Sequence, residues 1–160
     1  MFLKGKDEGF YETDKRLHNI LCRKRVEKLM ASNDKVLRAL ESATGYLEKS
    51  FLALKSGNEN SFIENFWHVA AELEYALFMF SLIFKEEEID KSKWRPNPEI
   101  KRDNVNDVLA EVRSLLDNAK KFLAGGKVLD AYKSVYVARH RVFAVEENLA
   151  KKKRERLRAR

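Results

Sequence analysis

Proline occurs only twice in the 160 residues of this chain, at Pro96 and Pro98, and both fall in one short segment. Proline interrupts α-helices because it lacks a backbone N–H and its ring clashes with the preceding turn. On either side, the sequence is rich in Leu, Ala, Lys and Glu, which favour helices. It shows no run of the apolar and polar alternation that is typical of strands. The chain is therefore predicted to be all-α, with its longest irregular segment near the middle.

Apolar residues spaced three and four positions apart predict five helices. Their expected limits are about 13–30, 33–55, 60–88, 104–123 and from 127 onward. Gly57 and the pair Gly125-Gly126 follow two of these helices, where a left-handed residue often ends a helix. We expect one helical-bundle domain over residues 1–150. It consists of an N-terminal helix and two long helical hairpins, about 33–88 and 104–150, joined by a linker at 89–103.

The two predicted hairpins resemble each other in sequence. The segments 46–53 and 117–124 both end in Phe-Leu-Ala, and glycine follows each of them. This pairing places Phe51 opposite Phe122. This sequence similarity is explained either by an internal duplication or by the general similarity of amphipathic hairpins.

Charge is concentrated at the end of the chain. The net charge is +7, but residues 151–160 contain seven basic and one acidic residue, so the rest is nearly neutral. This basic tail carries Lys151, Lys152, Lys153, Arg154, Arg156, Arg158 and Arg160. Such residues can neutralise nucleic-acid phosphates without sequence specificity. They can also contact an acidic protein surface, or only keep the chain soluble.

Several classes of protein are excluded by composition. The single cysteine, Cys22, rules out internal disulfides and multi-cysteine metal sites, and we expect it to be a small packed residue. Asp7 and Glu8 lie where a signal peptide needs an apolar run. The longest nearly apolar run, 75–84, is too short to span a bilayer. We therefore expect a cytoplasmic protein that does not contact membranes. The 36% of charged residues and the absence of Gln are typical of thermophilic proteins, although ten Asn residues argue against this.

The predicted third helix is apolar on two opposite sides. One side supplies the core, and the other carries Trp67, Ala71, Tyr75, Phe78 and Leu82. A helix that is apolar on both sides must be covered on both. Either the N-terminal helix covers this second side, which is the favoured interpretation, or the stripe is exposed and binds a second copy or another protein.

Polar residues on the third and fifth helices suggest two further arrangements. Glu64, His68 and Glu72 lie four positions apart on one flank, but one helix rarely completes a metal site, so a solvated flank is preferred and no metal is expected. Arg139 and Glu146 project from the apolar face of the fifth helix, unless that face ends near Phe143 and leaves Glu146 exposed. Because an unpaired buried charge is costly, Glu72 on the corresponding helix of the other hairpin is the expected partner of Arg139.

The linker carries an aromatic residue beside basic ones. Trp94 and Arg95 precede Lys101 and Arg102, a combination that can stack on bases and neutralise phosphates. A tryptophan in a loop more often packs the loop onto the domain. We expect Trp94 to pin the linker to the bundle.

The second hairpin resembles a known type of domain. The matching residues are the segment 117–123, then Gly126, Ala131, Tyr132 and Ala138. Over residues 105–145 they resemble a small archaeal family of helical-hairpin domains of unknown function. They are also similar to the hairpins of HEPN-type bundles, many of which act on RNA. The HEPN ribonuclease signature places an Arg four to six residues before a His, and His18, His68 and His140 all lack that Arg.

These patterns favour binding over catalysis. No Ser/His/Asp, Cys/His or zinc-ligand arrangement occurs at recognisable spacing, so we expect neither enzymatic activity nor a cofactor. The first hypothesis is a helical binding or adaptor module that associates with itself or with another protein. The alternative is a HEPN-like protein that contacts RNA or DNA nonspecifically through the basic tail.

Overall fold

The computed structural model describes the backbone of residues 8–85, 88–96 and 104–160, and their side chains from residue 13 onward. Four α-helices are present in these ranges, with no strand: α1 (Glu8–Lys55), α2 (Glu59–Ile83), α3 (Val105–Ala124) and α4 (Val128–Arg158). A short 3-10 helix, Lys91–Trp94, lies between α2 and α3. The predicted all-α bundle is confirmed, with four helices where about five were expected.

The expected count was too high because the first two predicted helices are one. Asn33 and Asp34, where the second helix was expected to begin, lie inside α1. Asn and Asp favour caps through local side-chain hydrogen bonds, but no glycine or proline occurs between Gly9 and Gly45 to break the helix. Every residue from 13 to 31 is exposed, so this part of α1 projects beyond the bundle. At its other end the hairpin is shorter than predicted, since α2 ends at Ile83 and not near residue 88.

Both hairpins turn through the same backbone geometry. Gly57 and Gly126 each adopt a φ of 73°, the left-handed region that favours glycine. The residue after each glycine donates its N–H to the carbonyl five positions back, at 2.9 Å in the first turn and 2.8 Å in the second. The glycine itself donates to the carbonyl three positions back. These bonds satisfy the last carbonyls of α1 and α3.

The two hairpins also share one core register, in which equivalent positions are 69 residues apart, as Gly57 and Gly126 are. Five fully buried residues of the first hairpin correspond to fully buried residues of the second. They are Leu40, Ala43, Leu47, Val69 and Leu73 in the first and, in the same order, Leu109, Val112, Leu116, Ala138 and Val142 in the second. The pairing inferred from the sequence, of Phe51 with Phe122, differs from this structural register by two positions. Phe122 corresponds to Ala53 and not to Phe51.

The helices pack as a four-helix bundle. α1 contacts α2 and α3, and α4 contacts α3 and α2. The largest fully buried side chains, Phe66 and Phe80, both come from α2. Phe80 stacks on Tyr132 of α4 with ring centroids 4.9 Å apart. Helix α2 is therefore the main contributor of aromatic side chains to the core.

The linker is packed against α4. Trp94 is half-buried and makes edge contacts with the rings of Tyr132 and Tyr136, at centroid distances of 5.3 and 5.6 Å. This is the pinning contact that the sequence favoured. Lys101 and Arg102, near the end of the linker, lie outside the described residues.

Candidate protein-association surface

The second apolar side of α2 is open to solvent. Trp67, Ala71, Tyr75, Phe78 and Leu82, here called the α2 stripe, are all exposed. The four large side chains expose 44–63% of their surface. The favoured expectation, that an N-terminal helix covers them, is wrong. That segment is the projecting part of α1 and lies beyond the bundle.

Polar contacts along both edges hold the stripe outward. On one edge, His68 stacks on Tyr46 of α1 at 4.5 Å between ring centroids, and Ser42 of α1 donates to Glu72 at 3.0 Å. On the other edge, Glu74 pairs with Arg139 of α4. Neighbouring helices thus bind the flanks of α2 and leave the face between them free.

The second hairpin provides an internal comparison for this face. In the shared register, the α4 positions that correspond to the stripe are Tyr136, His140, Ala144, Glu147 and Lys151. Two of them are half-buried: Tyr136 packs against Trp94, and His140 Nδ1 donates to the Tyr136 carbonyl at 2.9 Å. The exposed ones are Ala, Glu and Lys, the usual residues of a solvated helix face. The bundle does not itself require an apolar outer face.

Arg139 pairs with carboxylates other than the one expected. Its Nε lies 2.5 Å from Glu74 and its guanidinium lies 3.0 Å from Glu146. Glu72 was the expected partner, and this is wrong. Two residues along a helix turn a side chain by about 200°, so Glu72 faces α1 while Glu74 faces α4. Arg139 and Glu146 expose 17% and 13% of their side chains, so this pair is mostly buried.

The polar flank of α2 does not form a cluster of metal ligands. His68 and Glu72 are engaged with α1, as described above. Among the residues that the structure describes, no three His, Cys, Asp or Glu side chains lie close enough to hold a metal ion. The flank serves to attach α2 to α1.

The projecting part of α1 is a second exposed apolar surface. Residues 13–31 are here called the α1 extension. Its apolar residues, which expose 39–65% of their surface, are Leu17, Ile20, Leu21, Val26, Leu29 and Met30. Sequence reasoning missed this surface. The signal was present, since these residues share no single face, which is unusual for a helix that packs on one side only.

Cys22 also lies on the α1 extension. The expectation that it is packed is wrong, because its side chain is exposed and lies 3.7 Å from His18 of the same helix. Together with Val26 and Leu29, it lines a hollow of about 760 Å³ that reaches the end of α2 at Leu82. The α1 extension and the α2 stripe therefore meet at this hollow.

The basic tail continues α4 without a break. The helix runs to Arg158, and residues 151–160 are all exposed. Arg156 pairs with Glu59 at the start of α2, at 3.1 Å. A hollow of about 480 Å³ separates this part of α4 from the Trp67 end of the α2 stripe. The tail thus presents an exposed helical surface, on which Lys152 and Lys153 line that hollow together with Arg156.

No protein-family model, curated protein or solved structure matches this chain significantly. By length and hydropathy, α2 is the one helix among the described residues that could cross a membrane, although the core helix of a soluble bundle passes the same test. Eight of its residues are buried in the core. Those residues, the stripe and the partly buried Ile63, Leu77 and Ile83 together account for its apolar character.

Proposed function

We propose that this chain is a non-enzymatic protein-association module of the cytoplasm, and that the α2 stripe is its docking surface. The observation that carries the proposal is the contrast between the two hairpins. They share a core register and turn geometry, yet the outer face of α2 is aromatic and aliphatic where that of α4 is mostly polar. Large exposed apolar patches mark interaction sites because their burial is favourable.

The size of the stripe is adequate for association. At roughly 200 Å² for each large side chain, the exposed fractions amount to roughly 450 Å² of apolar surface. At about 25 cal/mol per Å², its burial contributes up to about 11 kcal/mol before the costs of association are subtracted. Aromatic residues such as Trp67 and Tyr75 are also the types that dominate binding energy in protein interfaces.

Self-association measurements test this function. Sedimentation velocity on the full chain, over roughly 1 to 100 μM, should show a species heavier than the monomer of 18.7 kDa. Phe78→Glu gives α2 the residue that α4 carries at the equivalent position, and should leave only monomer. Leu52→Glu is the matched control, because Leu52 is at least as exposed as Phe78 but lies outside the stripe. Wild-type protein that stays monomeric throughout would overturn the proposal.

Nucleic-acid binding through the basic tail is the second candidate function, in keeping with the resemblance to HEPN-type hairpins. The supporting observation is the helical, exposed presentation of residues 151–160. Binding of single-stranded RNA should weaken steeply with salt. Exchanging Lys151, Lys152, Lys153 and Arg154 for Gln should reduce both the affinity and the salt slope.

A matched control separates this tail from general charge. Exchanging four exposed basic residues elsewhere for Gln removes the same charge, and suitable positions are Arg38, Lys55, Lys121 and Lys133. The tail variant should lose far more affinity than this control. Equal losses of affinity in the two variants would show that RNA binding depends on the net charge of the protein and not on the tail. If the wild-type protein does not bind RNA, this candidate function is wrong.

A further inference from the structure

The first hairpin departs from the second in two ways. In the shared register, Val105 at the start of α3 corresponds to Val36, so α3 has no counterpart of the α1 extension. The second departure is the α2 stripe. Both departures are exposed apolar surfaces, and both lie on the same hairpin. An extra helix and an unpartnered face in one half of the molecule suggest that each serves the other.

The two helical segments that carry these surfaces differ in the sign of their charge. The α1 extension contains six basic and two acidic residues, a net charge of +4. Helix α2 contains four glutamates and neither Lys nor Arg, although Glu59, Glu72 and Glu74 already contact neighbouring helices. Glu64 lies on the outer side of α2 beside the stripe and is exposed. Complementary charge at the rim of an apolar contact steers association and fixes its register.

The two surfaces approach each other at the hollow by Leu82, but within one molecule they cannot lie along each other. The α1 extension runs beyond the end of α2 as part of a continuous helix, whereas the stripe lies along the bundle. Their lengths match, however. At 1.5 Å per residue, the extension is about 27 Å long and the stripe, from Trp67 to Leu82, about 23 Å.

We propose that two copies of this chain form a reciprocal antiparallel dimer, in which the α1 extension of each copy lies on the α2 stripe of the other. A two-fold axis near Leu82 and Ser32, which both line the hollow at the end of α2, produces this arrangement. It turns each extension back along the partner's bundle. The inference rests on the proposed function, since it names the occupant of the same stripe.

The area suits a stable dimer. The stripe contributes roughly 450 Å², and about half of the apolar surface of the extension, roughly 300 Å², can face one partner. Because the two-fold axis repeats the contact, about 1,500 Å² is buried in total, within the range of about 1,200 to 2,000 Å² for specific interfaces. A contact between two stripes alone would bury less and leave both extensions exposed.

The test combines one variant on each surface. Phe78→Glu places a charge in the stripe, and Leu21→Glu places one in the extension. Each should raise the dimer Kd by about 100-fold or more, because a carboxylate is then buried in an apolar contact twice per dimer. An equal mixture of the two variants should form more dimer than either alone. In the mixed dimer, one extension and stripe pair is free of substitutions.

These outcomes distinguish the inference from the proposed function. If Phe78→Glu abolishes the dimer and Leu21→Glu does not, the stripe binds something other than the extension, and only the reciprocal arrangement is overturned. A mixture no better than its components also overturns it. A wild-type chain that is monomeric throughout overturns both.

The one native cysteine allows a direct contact map. Cys22 is exposed and lies on the extension. When Cys22 is labelled with a maleimide benzophenone and irradiated, it should crosslink to residues 71–78 of another copy. Mixing ¹⁵N-labelled with unlabelled protein distinguishes crosslinks between two copies from crosslinks within one copy. Crosslinks confined to the same copy, or to another copy's α1, would contradict the arrangement.

Discussion

Arg139→Leu tests whether the bridge from α4 to α2 is structural. Arg139 joins Glu146 on its own helix to Glu74 on α2, and its guanidinium lies 5.8 Å from the exposed ring of Phe143. Leucine keeps the apolar stem and removes the charge. Both glutamates then lose their partner, but their surroundings differ, so the two losses differ in size.

The magnitude follows from the burial of each carboxylate. Glu74 exposes 60% of its side chain, so its share of the bridge is worth less than about 1 kcal/mol. Glu146 exposes 13%, and its second oxygen is buried and accepts no hydrogen bond from the described residues. Removing one partner of a buried pair costs about 3 to 5 kcal/mol. We expect a loss of about 3 kcal/mol in the free energy of unfolding.

Urea unfolding measures this loss. It is carried out in the Phe78→Glu background, because association makes apparent stability depend on concentration. With an m-value of about 2 kcal/mol/M, the midpoint should fall by about 1.5 M. Adding Glu146→Leu should recover most of the loss, since no unpaired buried carboxylate remains. A loss below about 1 kcal/mol, or a double variant as unstable as Arg139→Leu, would refute the reasoning.

Three further predictions concern the shared register and the core, and urea unfolding measures each. Gly57→Ala and Gly126→Ala should each lower the free energy of unfolding by about 1 kcal/mol, because both glycines have a positive φ. A Cβ at either position would meet no atom within 4 Å, so the cost comes from backbone conformation alone. If one of the two substitutions left the stability unchanged and the other lowered it, the two turns would not be equivalent. Ser50→Ala should change stability by less than about 1 kcal/mol, since the equivalent buried position is Ala119 and the hydroxyl donates only to its own helix. Phe80→Ala should cost about 3 to 5 kcal/mol, because the ring is fully buried, and a smaller loss would show that the core refills the space.

Much of the fold follows from spacing in the sequence. The stripe of apolar residues in α3, ended by Gly125, predicts that helix to within a residue or two. Gly57 likewise ends α1 in the expected place. These signals are local, since a buried face sets the period and a left-handed glycine sets the end. Sequence alone is sufficient where a helix and its cap are decided within one turn.

The remaining differences depend on tertiary context. Asn33 and Asp34 have the preferences of a cap, but a helix continues through them because no breaker intervenes and Val36 anchors the following turn in the core. The partner of Arg139 depends on how far α2 is rotated about its axis. A pattern of apolar positions gives that rotation only approximately, and Glu72 and Glu74 differ by half a turn.

The outer face of α2 shows how fold and association are separated in this chain. Five of its eight buried positions, Phe62, Phe66, Val69, Leu73 and Ala76, correspond to buried positions in α4, so the bundle constrains them in both hairpins. Its outer positions are not matched, so the bundle does not constrain them. Selection for stability alone would favour polar residues there, because exposed aromatic side chains promote aggregation. The presence of Trp67, Tyr75 and Phe78 on that face therefore supports the proposed contact with another chain. In the proposed dimer, the α1 extension of a second copy, which is about as long as the stripe, supplies that contact.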